Sequence, residues 1–340
     1  MDGSAVDAAT PMTTTGGLVD CWFAVATSAE VGEAPSPVTL LETDYVLWRG
    51  DDGEITAVRD RCSHREARLS LGSVTNGCIQ CPYHGWRFDP SGRCIAVPSS
   101  GSDTGIPPAA HLTPLSVEEH YGLVWLCPGT ASGPVPHLAV DADPSFTRLN
   151  TSMQTWNVSA TRMADNMLDI AHFPFTHVGT FGRDAETVVP RFSLTELDDT
   201  FYGYEYRVTV DNDGDAKAMS GDERDTVSLE MSTGFAMPFS IRSTMSWDNG
   251  IDQVLFMTMA PITPDRSYYT FVLWRNDDVS ETGSDIVDFE LQVTDEDRQM
   301  LENLRGELPL HPGGVADVAA DRASVEWRRR YRHLISGPSV

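Results

Sequence analysis

The chain has 340 residues, 41% hydrophobic and 22% charged, enough for one large or two ordinary domains with a substantial core. Its formal net charge of −26, from 24 basic and 50 acidic residues, disfavours nucleic acid and anionic membranes as partners. No apolar run approaches the roughly 20 residues of a membrane span, and six cysteines are too few for a disulfide scaffold.

Residues 1–17 are small and polar, with no basic residue ahead of an apolar block. They read as a flexible leader rather than a secretory signal, and the chain is expected to be cytoplasmic. From residue 18 the pattern turns to short strands: "WFAVATSAEV", "VTLLETDYVLWRG" and "EITAVRD", the last two joined by a "GDDGE" turn. After a segment rich in Cys and His come two hairpin patterns, "RFDPSGRCIAV" and "HLTPLSVEEHYGLVWLCPG". Residues 18–130 are therefore a mostly β domain. The Pro, Gly and Ala content that follows marks 131–150 as a linker. In the remainder, 151–340, "ATRMADNMLDIAH" has helical spacing that buries Met163, Met167, Ile170 and Ala171, and Pro174 closes it. Six strand patterns fill 188–275. A helix is expected at "TDEDRQMLENLRG", N-capped by Thr294, and a last one at "RASVEWRRRYRHLI". The fold class is α+β: an all-β first domain, then a large antiparallel sheet flanked by helices.

Half of the cysteines fall in residues 62–89, as Cys62-x-His64, sixteen residues, then Cys81-x-x-His84, with Cys78 nearby. Two loops that each carry a thiolate and an imidazole can close on zinc or on a [2Fe–2S] cluster, and Cys78-x-x-Cys81 alone would allow a redox dithiol. The flanks argue against a zinc finger and a thioredoxin-like site: Gly72 and Gly77 interrupt any helix between the pairs, and Pro82 and Gly85 disfavour one after Cys81. The segment, including "CPYHGW", resembles the Rieske iron–sulfur motif. That resemblance implies that Cys62 and Cys81 bind one iron and His64 and His84 the other. Cys78 is left as a structural thiol, and Trp86 packs over the loops.

A second gathering, "DNMLDIAHFPFTH", places Asn166, Asp169 and His172 three apart, with His177 five further on. Two neighbouring histidines begin a 2-His-1-carboxylate iron site. Two core histidines at a helix end are the bland alternative. Beside the first motif, the stretch resembles the mononuclear iron motif of the Rieske non-haem iron oxygenases. The resemblance implies Fe(II) held by His172, His177 and a late carboxylate. Asp297 fits that carboxylate best, in "Glu296-Asp297-Arg298". It is expected on the face with Met300, Leu301 and Leu304, whereas Asp295 and Glu296 read as surface acids. Asp169 and Asn166 are the candidate catalytic residues, and by the resemblance Asp169 links the iron to a Rieske histidine of a neighbouring subunit.

The whole pattern is similar to terminal oxygenases with α subunits only, of the vanillate and dicamba O-demethylase type. It implies a homotrimer that takes electrons from a ferredoxin or an NAD(P)H-dependent reductase. With O2 it would hydroxylate a C–H bond of a small organic substrate, by monooxygenation or by O- or N-demethylation. A ring cis-dihydroxylating dioxygenase α subunit, a plain Rieske electron-transfer protein and a zinc-stapled binding module are the rivals. Phe173, Phe175 and Phe181 are candidate pocket residues. Met259 and Ala260, where related enzymes place a carboxylate-binding histidine, count against an aryl carboxylate substrate.

Overall fold

The structure, a computed structural model, describes residues 16–100, 105–182, 186–212, 214, 216–304, 306, 308–311 and 313–336. The expected leader lies outside the described residues except for Gly16 and Gly17. Among the described residues no helix is long and apolar enough to cross a membrane.

Ten strands build the first part: β1 (Phe23–Thr27), β2 (Ser36–Leu40), β3 (Thr43–Arg49), β4 (Ile55–Arg59), β5 (Ser73–Thr75), β6 (Cys78–Gln80), β7 (Arg87–Phe88), β8 (Cys94–Ala96), β9 (Ser116–His120) and β10 (Leu123–Cys127). They form three antiparallel sheets, ordered β1-β10-β9, β2-β3-β4 and β5-β6-β7-β8. Every residue of β1 and β10 is buried, as the apolar runs over residues 23–26 and 123–127 require of strands covered on both faces. The sequence suggests one strand through "VTLLETDYVLWRG". Instead the chain reverses at Leu41 and Glu42, both at positive φ (51° and 58°). That is the twist a tight hairpin needs, but it is held here without glycine. The turn is docked: Leu41 N–H and Glu42 N–H donate to Pro261 O and Ile262 O at 2.8 and 2.9 Å.

The second part holds β11 (Thr147–Asn150), β12 (Gln154–Trp156), α1 (Ala160–Met167), α2 (Phe173–Thr176), β13 (Thr195–Glu196), β14 (Tyr202–Asp211), α3 (Ala216–Ser220), β15 (Thr226–Ala236), β16 (Ser240–Trp247), β17 (Asp252–Thr263), β18 (Arg266–Arg275), α4 (Gly283–Leu301) and α5 (Arg322–Ser336). Its 8-stranded sheet is an antiparallel meander from β13 to β18, closed at the far edge by β11 and β12, which both pair with β18. Thus β11 lies within the stretch that reads as a linker. One apolar core runs from β1 through α1 to α5. A separate one, with Trp48, Ile79 and Phe88, backs the Cys/His loops.

Both functional helices depart from expectation. Ser159 caps α1, its hydroxyl accepting from Arg162 N–H at 3.4 Å, but the helix stops at Met167. Asn166 alone of the three spaced residues is helical, and Asp169 and His172 sit in the turn beyond. Pro174 lies in the first turn of α2 and starts that helix rather than ending the previous one. The expected N-cap Thr294 is interior to α4. Met300 and Leu304 are exposed, at 51% and 43%, and Leu301 alone of the three is buried.

Candidate metal centres and substrate cavity

The two Cys/His loops are near copies of each other. Cys62 O accepts from Glu66 N–H at 2.9 Å, and Cys62 N–H donates to Ala67 O at 2.9 Å. Cys81 repeats both bonds with Gly85 and Trp86, at 3.1 and 2.8 Å. Each loop passes through the left-handed region at its fifth residue, Glu66 (57°) and Gly85 (70°). Gly85 announces this turn in the sequence. Glu66, with a side chain that resists positive φ, does not.

The loops bring Cys62, Cys81, His64 and His84 together. Both thiols are buried. The two imidazole rings lie 4.4 Å apart, and the Trp86 ring stacks on His64 at 4.5 Å with 4° between planes. Burial, with Cys81 close by, pushes the Cys62 thiol up to about 11. His64 Nδ1 is buried and meets no hydrogen-bond partner. A buried ring nitrogen without a partner, with a second imidazole beside it and two buried thiols on the same pair of loops, supplies the two Cys and two His that a Rieske cluster takes. Cys78, on β6, stays at the edge of this core.

The second centre is assembled by α1, α2 and α4. His172 Nε2, His177 Nε2 and Asp297 Oδ1 form a triangle with sides of 3.1, 3.3 and 3.5 Å. Three ligands on one face of an octahedral metal with bonds near 2.1 Å stand about 3.0 Å apart, so the triangle has the size of a facial triad. The ring orientations agree with it. His172 Nδ1 meets Asp169 Oδ2 at 3.2 Å, and His177 Nδ1 meets Glu296 Oε2 at 3.0 Å. With protons on both Nδ1 atoms, two Nε2 lone pairs face each other 3.1 Å apart, a repulsion that a shared cation removes. The electrostatics also call for positive charge. Burial works against the charged form of His172, yet Asp169 and Asp297 hold its pKa up at about 9. Asp297 is drawn below the usual carboxylate range by His172 and His177, against the effect of its own burial.

Asn166 Nδ2 donates to Asp297 Oδ1 at 2.9 Å, so Asn166 orients the carboxylate from the cavity wall. Glu296 is not the surface acid the sequence suggested. It takes His177 Nδ1, Gly179 N–H (3.0 Å) and Thr180 Oγ1 (2.8 Å). No sequence signal singled it out, because that depends on where α4 begins.

A cavity of about 140 Å³ opens over the triad, bounded by α1, α4 and the face of the sheet. Its wall is mostly apolar and includes Phe173 and Phe181, together with the soft, adaptable side chains of Met167, Met219, Met231, Met245 and Met257. Phe175 is 69% exposed and takes no part. Met259 is buried off the cavity, and Met257, two residues earlier on β17, lines it instead.

Residues 21–113 match the Rieske [2Fe-2S] domain, and residues 156–337 match the vanillate O-demethylase oxygenase C-terminal domain. The chain is 29% identical over 323 residues to methylxanthine N1-demethylase NdmA of Pseudomonas putida, over 92% of this chain and 88% of that protein. It is 31% identical over 170 residues to the oxygenase component of dicamba O-demethylase of Stenotrophomonas maltophilia, 49% of each chain. The solved structure of Pseudomonas putida NdmA with caffeine superposes with a TM-score of 0.79 at 27% identity, covering 94% of this chain and 91% of that one. Dicamba monooxygenase bound to dicamba, at 21% identity, shares the fold with a TM-score of 0.77 over 94% of this chain and 98% of its own. With more than half of the chain in the second match and most of the rest in the first, this protein belongs to the Rieske non-haem iron oxygenases, as a terminal oxygenase that carries a [2Fe–2S] cluster and a mononuclear iron.

Proposed function

We propose that this oxygenase demethylates or hydroxylates a compact, ring-sized substrate held over the iron. Cys62, His64, Cys81 and His84 hold the cluster, and His172, His177 and Asp297 hold the iron. The observation that carries the second assignment is the triangle of donor atoms with sides of 3.1, 3.3 and 3.5 Å at the floor of an apolar cavity. A cavity of this size suits a ring-sized molecule rather than a long chain. N- and O-demethylation are favoured because NdmA and dicamba O-demethylase are named for them.

The chain's own residues have distinct tasks. Asp169 and Glu296 keep the Nδ1 protons of the two histidines in place, which presents both Nε2 lone pairs to the metal. Asn166 is a positioning residue that fixes Asp297. The apolar wall excludes water from the reacting carbon. The bound iron supplies O2 reduction and C–H hydroxylation, and a hydroxylated N- or O-methyl group then collapses to formaldehyde. Asp169 further connects the iron to the Rieske site of a neighbouring copy in a homotrimer. In keeping with transfer between copies, His84 is exposed. A ferredoxin or NAD(P)H-dependent reductase supplies the electrons.

A panel of N-methyl and O-methyl ring compounds, assayed for O2 uptake with a surrogate ferredoxin system, tests the reading. Formaldehyde equimolar with O2 consumed is the expected result. A cis-diol product without formaldehyde would instead make this a ring dioxygenase.

A further inference from the structure

The cavity has one buried acid that the metal centre does not use. Glu290 is 5% exposed and lines the cavity from α4. Among the described residues it accepts a single hydrogen bond, from Gln253 Nε2 at 2.8 Å. Gln253 cannot turn round. Its Oε1 accepts from Arg275 Nη1 at 3.0 Å, so its amide N–H must point at Glu290. Arg275 is fully buried and committed elsewhere, with Nε and Nη2 on Asp277 at 2.8 Å each and Nη1 also on Met219 O. The row Asp277, Arg275, Gln253, Glu290 therefore ends in a carboxyl that presents acceptor oxygen to the cavity, and no lysine, arginine or histidine lines the cavity wall beyond the two iron ligands.

The helix also sets a distance. Glu290, Val293, Thr294 and Asp297 all line the cavity and follow the i, i+3, i+4, i+7 spacing of one helix face. Seven residues at 1.5 Å each place Glu290 about 10 Å along the axis from the proposed ligand Asp297. A flat molecule of one or two rings spans that distance.

We propose that Glu290 selects the substrate by accepting a hydrogen bond from an N–H group at the end remote from the iron, so that the enzyme takes nitrogen heterocycles or amines carrying such a donor and rejects carboxylates. This deepens the reading of the cavity as the substrate site. An apolar cavity rejects an ill-matched ligand chiefly when it leaves a buried polar group unpaired, and a carboxylate in the same place adds like-charge repulsion.

The test is equilibrium binding by calorimetry to the iron-loaded holoenzyme at pH 8, above the value of about 7 to which burial pushes Glu290. The probes are benzimidazole, 1-methylbenzimidazole and benzoate. Benzimidazole should bind at least about tenfold more tightly than its N-methylated form, and benzoate should not bind. In Glu290→Leu the tenfold preference should vanish. In Glu290→Gln the new amide must give its oxygen to Gln253 and turn its N–H groups into the cavity, so benzoate binding should appear. That gain is one a merely structural role for Glu290 would not produce. Benzimidazole failing to bind, equal binding of the two benzimidazoles, or a preference unchanged in Glu290→Leu overturns the proposal. Binding is read without turnover, so a correct preference with no O2 uptake on any methylated donor ligand would count against the oxygenase reading alone.

Discussion

Asp169 uses its two oxygens differently: Oδ1 accepts the backbone N–H of Ala171 at 2.8 Å, while Oδ2 faces His172 Nδ1. This division makes the isosteric replacement worse than the truncation. In Asp169→Asn the amide oxygen stays on Ala171 N–H, the amide N–H turns on Nδ1, and the His172 proton is driven to Nε2, the atom proposed to bind iron. Asp169→Ala leaves the tautomer free. Both variants should lose coupled turnover by about 100-fold, but only the Asn variant should also lose mononuclear iron. Equal iron content in the two, measured per cluster, would contradict this. Glu290 yields a second prediction. Burial lifts its carboxyl to about 7, against the pull of Gln253 and Arg275, the groups that face it. Its folded value lies above the unfolded one, so the folded chain binds the proton more tightly. Stability is lost as pH rises from about 4.5 through 7, by about 3 kcal/mol in all. Urea unfolding at pH 5 and pH 8 should therefore show wild type losing more stability than Glu290→Gln by about 2 kcal/mol. A parallel response of the two proteins would mean that Glu290 is solvated.

The elements explain what the sequence disclosed and what it hid. Six strand patterns between 188 and 275 correspond to β13–β18, though only two residues of "RFSLTEL" pair, because long β-branched and aromatic stretches in an antiparallel meander need no distant information. The two proposed cluster-ligand pairs are close in sequence for a similar reason, since Cys62 with His64 and Cys81 with His84 each lie within one tight turn. Helix α4 departs from its sequence pattern. Thr294 looks like a cap, and a helix starting there would put Glu296 in a solvent-facing first turn. The helix in fact begins at Gly283 and has run about three turns by then, so Glu296 projects toward α2. The loop after His177 is shaped to receive it: a Cβ on Gly179 would overlap Glu296 Oε1. Gly179→Ala, a change outside every proposed ligand, should push Glu296 off His177 and weaken iron retention about tenfold, as Glu296→Gln should. Iron content after dialysis against a chelator measures both. Full retention in Gly179→Ala would show that the carboxylate has room to move.

At the scale of the whole molecule, charge is distributed less simply than the chain order suggests. Residues 59–93 carry six arginines against three acids, a net of +3 in sequence. In space, the β2–β3 hairpin brings Glu42 and Asp44 to the same groove, which Arg59, Arg61 and Arg68 share with Asp60 and Glu66. Arg68 pairs with Asp44, and Arg61 with Glu66. Within the groove four acids thus outnumber three arginines, so the local excess is confined to the arginines outside it, and only spatial proximity shows this. Arg65 remains exposed beside His64. An acidic ferredoxin would be steered by this arginine more than by its paired neighbours. Arg65→Glu should slow cluster reduction several-fold at low salt, and the difference should shrink as the screening length falls to about 8 Å at physiological ionic strength. Arg68→Glu acting as strongly as Arg65→Glu would place the docking face on the groove instead.

The five methionines of the cavity wall would make the proposed substrate site its own point of chemical failure. Each lines the cavity over the proposed iron, where any peroxide would be released when O2 is reduced without a fitting substrate to consume it. Conversion to the sulfoxide would turn a pliable apolar wall into a polar one. Brief treatment with hydrogen peroxide should therefore abolish ligand binding while the cluster spectrum persists, peptide mass spectrometry should find oxygen on Met167, Met219, Met231, Met245 or Met257, and methionine sulfoxide reductase acting during unfolding and refolding should restore binding. Inactivation without oxidation at these positions would point to the iron centre instead. The working life of the enzyme would then be set by how well each substrate fills the cavity, with poor substrates wearing it out fastest.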